Sequence, residues 1–433
     1  MLRGRVRLSD EPLRLETDIQ EYMLNWTNRL DKRNPVFSAI CTADSDSRYV
    51  FGLHANYDPD ADAFAVNRES ALRGDLERPE TFRRHARLWL AGDEFLGGRA
   101  AGERLGLARV RELRWQIAAL YASAERREDI EDGELQEMHP GLRNPAAGRG
   151  MQVHVPYTVY AHFFLLRQIL AGAGVRETRH AMDCESLLRA GFLCAFREEA
   201  QEGRARGFYV RTVKYRTVPQ REAAKAAARK RLAAFAGTLP LARRKEAPRL
   251  LMEANLATAS AFGKWSDRWA AHPLPTMNEP EKAVCLLTPH PGLSVRAAAE
   301  TALGAGLGAV DNVFQRTRRF LSALERPIGT SSGYNTVWHG YAPYNPAMLQ
   351  TYLDLFRCAR NYCNPGPDGA TPAMRLGLAD RALDYDDVLW PGLEPPRPPV
   401  EASAVREDVL ERWIGDAGRG KAKASSPGAG PGL

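Results

Sequence analysis

The chain opens with three strand-like runs of alternating or continuous apolar residues, at 13–26, 36–42 and 49–56. In the first run, leucine, threonine and isoleucine alternate with charged residues before the phase shifts. The second run reads VFSAICT and the third YVFGLHAN, and a short polar loop (ADSDSR) joins them. Such a loop between two apolar runs is typical of a β-hairpin. The pattern therefore predicts an antiparallel meander at the start of the fold.

Helical and strand-like patterns then alternate. A strongly apolar helix is predicted over 157–172, followed by a strand over 175–182. A second helix over 186–201 leads to a strand over 207–215. This alternation after an antiparallel start predicts an α/β fold with a mixed sheet and flanking helices.

The next part of the chain is basic and rich in alanine. Residues 216–250 contain ten Lys or Arg and only two acids, which suits either a solvated helix face or a DNA-facing one. Trp265 and Trp269 are spaced as on a helix. A strand over 281–287 follows, and then a helical stretch over 294–324 that glycines loosen at 304–308.

Composition narrows the possible partners. Of 433 residues, 60 are Lys or Arg and 53 are Asp or Glu, giving a net charge of +7. This excess favours a polyanionic partner, although a basic surface without a partner has the same charge. The sequence contains neither a long apolar run nor an apolar signal core, which predicts no membrane association. Six cysteines without a Cys-x-x-Cys pair indicate a reducing cytoplasm and no zinc site.

Three acids lie where a metal-dependent phosphodiester enzyme would need them. Asp18 lies within an apolar strand, Asp183 follows the strand at 175–182, and Asp311 lies on the later helix with Arg318 seven residues on. Carboxylates on rigid elements can hold two divalent ions for such chemistry. Each acid also has an ordinary interpretation: an edge-strand acid for Asp18, an N-cap for Asp183 and an ion pair with Arg318 or Gln315 for Asp311.

Several stretches carry a family resemblance. The most specific is LFRCARNYCNP at 355–365, on a predicted helix, followed by TPAMRLGLA at 371–379. TDIQEY at 17–22, TADSDSRYVFG at 42–52 and VDNVFQRTRRFL at 310–321 add to it. Together they resemble the DDE transposases of bacterial insertion sequences, whose catalytic core is ribonuclease H-like (integrase-type). The resemblance covers roughly residues 12–380.

The resemblance implies a set of roles. Asp18, Asp183 and Asp311 would be the three catalytic, metal-binding acids, with Asp44 as a rival for the first position. Two Mg²⁺ or Mn²⁺ ions would support nicking by water and then attack of the freed 3′-OH on target DNA. If Asp311 is not the third acid, the alternatives are Glu300, Glu281 and Glu325.

Three departures from the family pattern bear on activity. The third acid is usually Glu, and Asp183 and Asp311 lie 128 positions apart, which requires an inserted region. The usual DNA-reading module before the first catalytic strand is not evident. The expected activity is that of a DNA transposase, and the alternative is an inactive or truncated remnant that only binds DNA.

The expected organisation has four parts. They are the first part of a ribonuclease H-like core (1–215), a basic, mostly helical insertion (216–280), the end of the core with a C-terminal helical region (281–390), and a linker with a flexible tail (391–433). The expected partners are the DNA of the transposon ends and of the target, and a second copy of the chain in a homo-oligomer. The candidate DNA-binding residues are Arg83, Arg84, Arg87, Lys225, Arg229, Lys230, Arg231 and Arg318.

Overall fold

A computed structural model describes most of the chain. The described residues are 12–24, 36–90, 150–213, 216–263, 265–325 and 343–390, with the shorter stretches 93, 113–114, 117–118, 121, 328–329, 337–338 and 392. The end of the first predicted strand at 25–26 and nearly all of the predicted linker and tail at 391–433 lie outside them.

The chain divides into two compact units, Met1–Ala382 and Leu383–Leu433. The first unit contains every described strand. In the second unit, a short helix at Tyr385–Leu389 begins at Asp384, whose side chain accepts a hydrogen bond from the Asp387 amide.

An eight-stranded mixed sheet forms the centre of the first unit, in the order β3-β2-β1-β6-β7-β10-β9-β8. Its strands are β1 (Leu13–Met23), β2 (Val36–Asp44), β3 (Val50–Ala55), β6 (Thr178–Asp183), β7 (Ala205–Thr212), β8 (Ser260–Phe262), β9 (Asp267–Ala271) and β10 (Lys282–Leu286). The remaining described strands form two small two-stranded sheets: β4 (Tyr57–Asp58) with β5 (Met151–Gln152), and β11 (Ile328–Gly329) with β12 (Val337–Trp338).

Strand direction changes within the large sheet. The strands β1, β2 and β3 pair antiparallel, whereas β1, β6 and β7 run parallel to one another. Beyond β7, the strands β10, β9 and β8 each pair antiparallel with their neighbour. The predicted α/β class with an antiparallel start is therefore confirmed.

The described α-helices are α1 (Ala63–Arg73), α2 (Val155–Gly172), α3 (Ser186–Ala195), α4 (Arg197–Gln201), α5 (Val218–Gly237), α6 (Ala247–Ala257), α7 (Val295–Leu303), α8 (Gly308–Phe320), α9 (Ala347–Cys358), α10 (Pro372–Arg375) and α11 (Tyr385–Leu389). Short 3₁₀ segments occupy Asp75–Glu77, Glu80–Phe82, Leu241–Glu246 and Ser322–Leu324, and a π-helical turn at Ala359–Cys363 continues α9. None of the described helices combines the length and the apolar character needed to cross a lipid bilayer.

Two hydrophobic cores cover the two faces of the sheet. One core contains residues of α2 and α3, and the other contains residues of α6, α7, α8 and α9. Alternate side chains of β1 contribute to the two cores, because Leu15 belongs to the first core and Tyr22 to the second. Side chains two residues apart on a strand point to the same face. Glu16, Asp18 and Tyr22 therefore share the face covered by α8.

Most of the predicted elements are present, and one is wrong. The helical expectation for Trp265 and Trp269 fails because Trp269 lies in β9, which pairs with β10. The segment 216–280, predicted to be a basic helical insertion, contains α5 and α6 and also supplies β8 and β9 to the central sheet. The helical stretch predicted over 294–324 is interrupted between α7 and α8 at residues 304–307, within its glycine-loosened part.

The free edge of β3 is covered by the side chains of α9. Gln350 uses its carboxamide as a neighbouring strand would use a peptide group: its Oε1 accepts from the Ala55 amide at 2.8 Å, and its Nε2 donates to the Leu53 carbonyl at 3.0 Å. An unpaired backbone group in a buried setting costs about as much as a missing hydrogen bond. These two bonds remove that cost at one end of β3.

Asn361 repeats the arrangement at the other end of β3. Its Oδ1 accepts from the Val50 amide at 3.0 Å, and its Nδ2 donates to the Val50 carbonyl at 2.9 Å. Between the two carboxamides, Arg357 donates to the Phe51 carbonyl at 3.2 Å. The family-like motif at 355–365 therefore has a structural role, because it closes one edge of the sheet.

Replacing Asn361 with alanine should lower the free energy of unfolding by about 2–4 kcal/mol. Both Val50 backbone groups would be left without their partners in a buried position, at about 1–3 kcal/mol each. Urea denaturation followed by circular dichroism measures the change.

Thr351→Ala provides the matched control on the same helix. Thr351 is exposed and its hydroxyl bonds to the Ala347 carbonyl of its own helix, so a change within about 0.5 kcal/mol is expected. Equal destabilisation of the two variants would contradict the role assigned to Asn361.

Candidate metal centre

The parallel pairing of β1 with β6 brings two predicted acids together. Thr17 lies opposite Met182 in the register, so the next residues, Asp18 and Asp183, are neighbours at the point where β6 ends. Because side chains alternate along each strand, both acids lie on the sheet face covered by α8. The sequence alone predicted each acid separately, and the strand register places the two acids side by side.

A third carboxylate completes the group. Asp18, Asp183 and Glu185 each offer an oxygen, and these atoms all lie within 4.8 Å of one another. Asp183 is buried, whereas Asp18 and Glu185 are half-buried. Carboxylate oxygens are the ligands that Mg²⁺ and Mn²⁺ prefer. The donor set therefore fits a hard divalent cation reached from one side.

The turn after β6 gives Asp183 and Glu185 their positions. The Asp183 Oδ1 accepts from the Cys184 amide at 2.9 Å, and the Glu185 amide donates to the Asp183 carbonyl at 2.8 Å. The Glu185 carbonyl in turn accepts from the Tyr209 hydroxyl at 2.8 Å. Glu185 occupies the N-cap position of α3, but its side chain makes no capping bond. The N-cap interpretation of Asp183 therefore does not describe this turn.

Like charges lie close together at the site. Two carboxylates within 4.8 Å repel by about 3 kcal/mol at an effective dielectric constant of about 20. Arg211 opposes this repulsion from one side, with 3.6 Å between its Nη1 and the Asp183 Oδ1, and both side chains are largely buried. A divalent cation bound among the three carboxylates would replace their mutual repulsion with attraction.

Asp311 is not one of the three acids in this group. It is half-buried in the first turn of α8, and its amide donates to the Leu307 carbonyl at 2.9 Å. Among the described residues, the one set of three metal-ligand side chains within 4.8 Å contains Glu185 in its place. Glu185 was not among the acids predicted from the sequence. Its position two residues beyond the strand end was the available signal.

The other acids considered from the sequence have different surroundings. Asp44 is buried in the β2–β3 turn, where its Oδ2 accepts from both the amide and the hydroxyl of Ser47 at 2.6 Å. Burial raises the pKa of Asp44. Glu281 pairs with an arginine at 2.7 Å and Glu300 with another at 2.9 Å. None of these acids, nor Glu325, belongs to the carboxylate group.

The three arginines before residue 90 that were predicted to bind DNA are paired with acids. Arg83 is buried against Asp93, with 2.6 Å between Nη1 and Oδ1. Arg84 bonds to Glu69 at 2.7 Å, and Arg87 pairs with a carboxylate at 2.5 Å. Their charges are compensated within the protein.

The basic residues of α5 have a different environment. This helix buries only alanines, and Arg229, Lys230 and Arg231 are exposed while Lys225 is half-buried. Among the described residues, none of these four has a carboxylate oxygen within 4.0 Å. Arg318 is half-buried on α8. The sequence-predicted charge available to a polyanion is therefore concentrated on α5.

Glu16 is a buried acid that the sequence did not single out. It accepts hydrogen bonds from the Ala309 and Val310 amides at the start of α8, and from the Ser45 hydroxyl at 2.8 Å. Burial raises the pKa of Glu16 to about 7, although these bonds oppose the shift. Because Asp18 follows two residues later on the same face, Glu16 fixes where α8 begins relative to the carboxylates.

No model of a known protein family, no curated protein sequence and no solved structure matches this chain. The functional inference therefore rests on the residues of this chain.

Asp18→Asn should stabilise the protein in EDTA and remove stabilisation by Mn²⁺. Removal of one negative charge relieves repulsion by about 1–2 kcal/mol after solvent screening. In the wild type, Mn²⁺ at a hundred times its dissociation constant should add about 2.7 kcal/mol. Urea denaturation with and without Mn²⁺ measures both effects.

Asp60→Asn, at an exposed carboxylate, serves as the control and should behave like the wild type under both conditions. If Mn²⁺ stabilises Asp18→Asn as strongly as the wild type, Asp18 is not a ligand.

Glu16 should make stability fall as pH rises through neutrality. A carboxyl whose pKa is about 7 in the folded protein and 4.5 when unfolded holds its proton more tightly when folded. Its contribution is present below pH about 4.5 and is lost as pH rises through about 7, by up to about 3 kcal/mol. Glu16→Gln mimics the protonated form, so its stability relative to the wild type should increase between pH 5.5 and 8.5. A difference between the two proteins that stays constant over this range would show that Glu16 does not titrate in this way.

Proposed function

We propose that the five strands β3-β2-β1-β6-β7 form a ribonuclease H-like core. Such a core has three antiparallel strands followed by two that run parallel to the first, with helices between them. The strand order and directions of this chain support that assignment. The strands β8, β9 and β10 would then extend the core from its far side.

We further propose that the protein is a metal-dependent DNA transposase, which cleaves phosphodiester bonds and joins DNA strands. The observation that carries this proposal is the carboxylate group on the central parallel strands, with Asp18 in β1 and Asp183 at the end of β6. Acids in these two positions are what the family resemblance implies for the first and second catalytic residues. The most specific family-like motif, at 355–379, contains neither acid, so the geometry adds support that the motif alone does not give.

The chain's own residues would divide the work as follows. Asp18 and Asp183 hold the divalent cation, Glu185 is the third ligand in closest reach, and Asp311 is the alternative third ligand. Arg211 keeps Asp183 in position. Divalent ions held this way can stabilise both the attacking and the leaving oxygen of an in-line displacement at phosphorus.

DNA would be held largely by charge. Phosphate contacts from Lys and Arg supply most of the sequence-independent affinity of DNA-binding proteins. The exposed cations Arg229, Lys230 and Arg231 on α5 are suited to that role. A protein that binds DNA without cleaving it is the alternative, and a cleavage assay separates the two.

Asp18→Ala and Asp183→Ala should each reduce strand cleavage and strand transfer by at least about a hundredfold. The substrates are duplexes carrying the DNA that flanks the reading frame, incubated with Mn²⁺ and analysed on denaturing gels. Comparison of Glu185→Ala with Asp311→Ala identifies the third ligand, since only the true ligand should give a reduction of similar size.

Asp60→Ala is the matched carboxylate control and should retain wild-type rates. Cleavage that survives both Asp18→Ala and Asp183→Ala would contradict the assigned centre. Metal-independent DNA binding with no cleavage by the wild type would support the binding-only alternative.

A further inference from the structure

Three arginines from separate elements converge beside β2. Arg48 lies in the β2–β3 turn, Arg316 on α8 and Arg360 in the π-helical turn after α9. We refer to these three residues as the arginine cluster. Burial, followed by the nearby charges of Arg316 and Arg48, lowers the pKa of Arg360 to about 10. Hydrogen bonds bring the same elements together. Arg360 bonds to Asn312, which lies one helical turn before Arg316 on α8, and its neighbour Asn361 bonds to Val50, two residues after Arg48.

The arginine cluster forms no ion pair within the described part of the chain. None of the three arginines has a carboxylate oxygen within 4.0 Å there, whereas Arg375 nearby is paired with Asp368. Arg48 and Arg316 are exposed. The combination leaves a local excess of positive charge with access to solvent.

Arg360 is the unusual member, because it is only 7% exposed. Its Nη2 donates to the Asn312 side-chain oxygen at 3.0 Å, but its buried Nε finds no acceptor among the described residues. A buried cation is costly unless it is paired and hydrogen-bonded. An oxyanion that accepts from Arg360 and from the two exposed arginines would remove that cost.

The cluster adjoins the carboxylate group. Cys41 lies directly opposite Asp18 in the β1–β2 register. Burial raises the pKa of the Cys41 thiol, Arg360 opposes that shift and Asp18 adds to it, so both charged groups lie near the same atom. Asn312, the partner of Arg360, lies near the start of α8, where the Ala309 and Val310 amides donate to Glu16, two residues before Asp18. The carboxylates and the arginine cluster are therefore neighbouring sites of opposite charge.

We propose that the arginine cluster binds a phosphate of the nucleic-acid strand whose neighbouring phosphodiester lies at the carboxylates. The inference rests on the proposed function for the identity of the strand. Guanidinium groups bind phosphate oxygens through paired, charge-assisted hydrogen bonds. Such a contact fixes the register of the strand, because it holds one phosphate while the next reaches the site of reaction.

The test measures binding of a fluorescent DNA duplex by anisotropy in EDTA, with the full chain, over a series of salt concentrations. Arg48→Gln combined with Arg316→Gln should weaken binding by about tenfold or more. The slope of log affinity against log salt should become shallower by about 0.9 for each phosphate that the variant no longer binds. Arg296→Gln removes an equally exposed arginine that is paired with Glu300, and should change affinity less than about twofold.

Arg360→Gln is measured beside them, with its thermal melting curve as a check on folding. The double variant at Arg48 and Arg316 does not contain the Arg360 substitution, so its result remains decisive even if Arg360→Gln fails to fold. Wild-type affinity and salt slope in the double variant would overturn the proposal.

Two further measurements distinguish the possible sources of phosphate, and distinguish the phosphate site from the proposed function. If inorganic phosphate raises the melting temperature of the wild type but not of the double variant, while DNA binding is equal in both, the site takes a free anion and the proposal fails. Metal-dependent cleavage by the wild type together with unchanged DNA binding in the double variant would refute the cluster and leave the proposed function intact. Weakened DNA binding with no Asp18-dependent cleavage would support phosphate binding and refute the proposed function.

Discussion

The parallel pairing of β1 with β6 is the contact on which the rest of this structure depends. It joins residues that are more than 160 positions apart in the chain, Thr17 and Met182 among them. Parallel strands need a crossover connection. Here α2 is part of that connection, leads into β6 and helps to cover one face of the sheet. A shift of one residue in this register would turn every side chain of β1 to the other face. Asp18 would then point toward the core that contains α2, and Leu15 would point toward the other core. One alignment therefore sets both the position of the carboxylates and the packing of the two cores.

That alignment places several negatively charged side chains close together, where they repel one another. Asp183 is buried beside two further carboxylates, and Glu16 is buried two residues before Asp18. Glu16 is tolerated because the amides at the start of α8 and the Ser45 hydroxyl bond to it. In the carboxylate group, by contrast, like charges face one another. Active sites are places where burial and pairs of like charges are arranged to adjust the chemistry of acids. Repulsion of this sort is consistent with a site whose final partner comes from solution.

Sequence patterns predicted the individual strands and helices better than the contacts between them. Apolar alternation identified β1, β2 and β3 because each strand buries at least one face, and it identified α2 because that helix is apolar along most of its length. The strand β9 was missed because Trp265 and Trp269 are four residues apart, which is also the spacing of one helix face. A five-residue strand offers too few positions to decide between the two periods. Asp18 and Asp183 could be named from their local patterns, but Glu185 could not, since its direction depends on the turn after β6. The position of Asp311 relative to the carboxylates depends on how α8 packs on the sheet, which local sequence patterns do not report.

The carboxamides of Gln350 and Asn361 have a consequence for how this protein can meet other copies of itself. An open strand edge is a template on which another chain can continue the sheet, through domain swapping, strand donation or amyloid growth. On β3 that template is already occupied by side chains, and at the opposite end of the sheet β8 offers only three residues. Among the described strands of the large sheet, backbone pairing with another copy is therefore limited to the three residues of β8. Contacts between copies at the β3 edge would fall on the side chains of α9 and of the turn after it, which separate from a partner more readily than a continued sheet does.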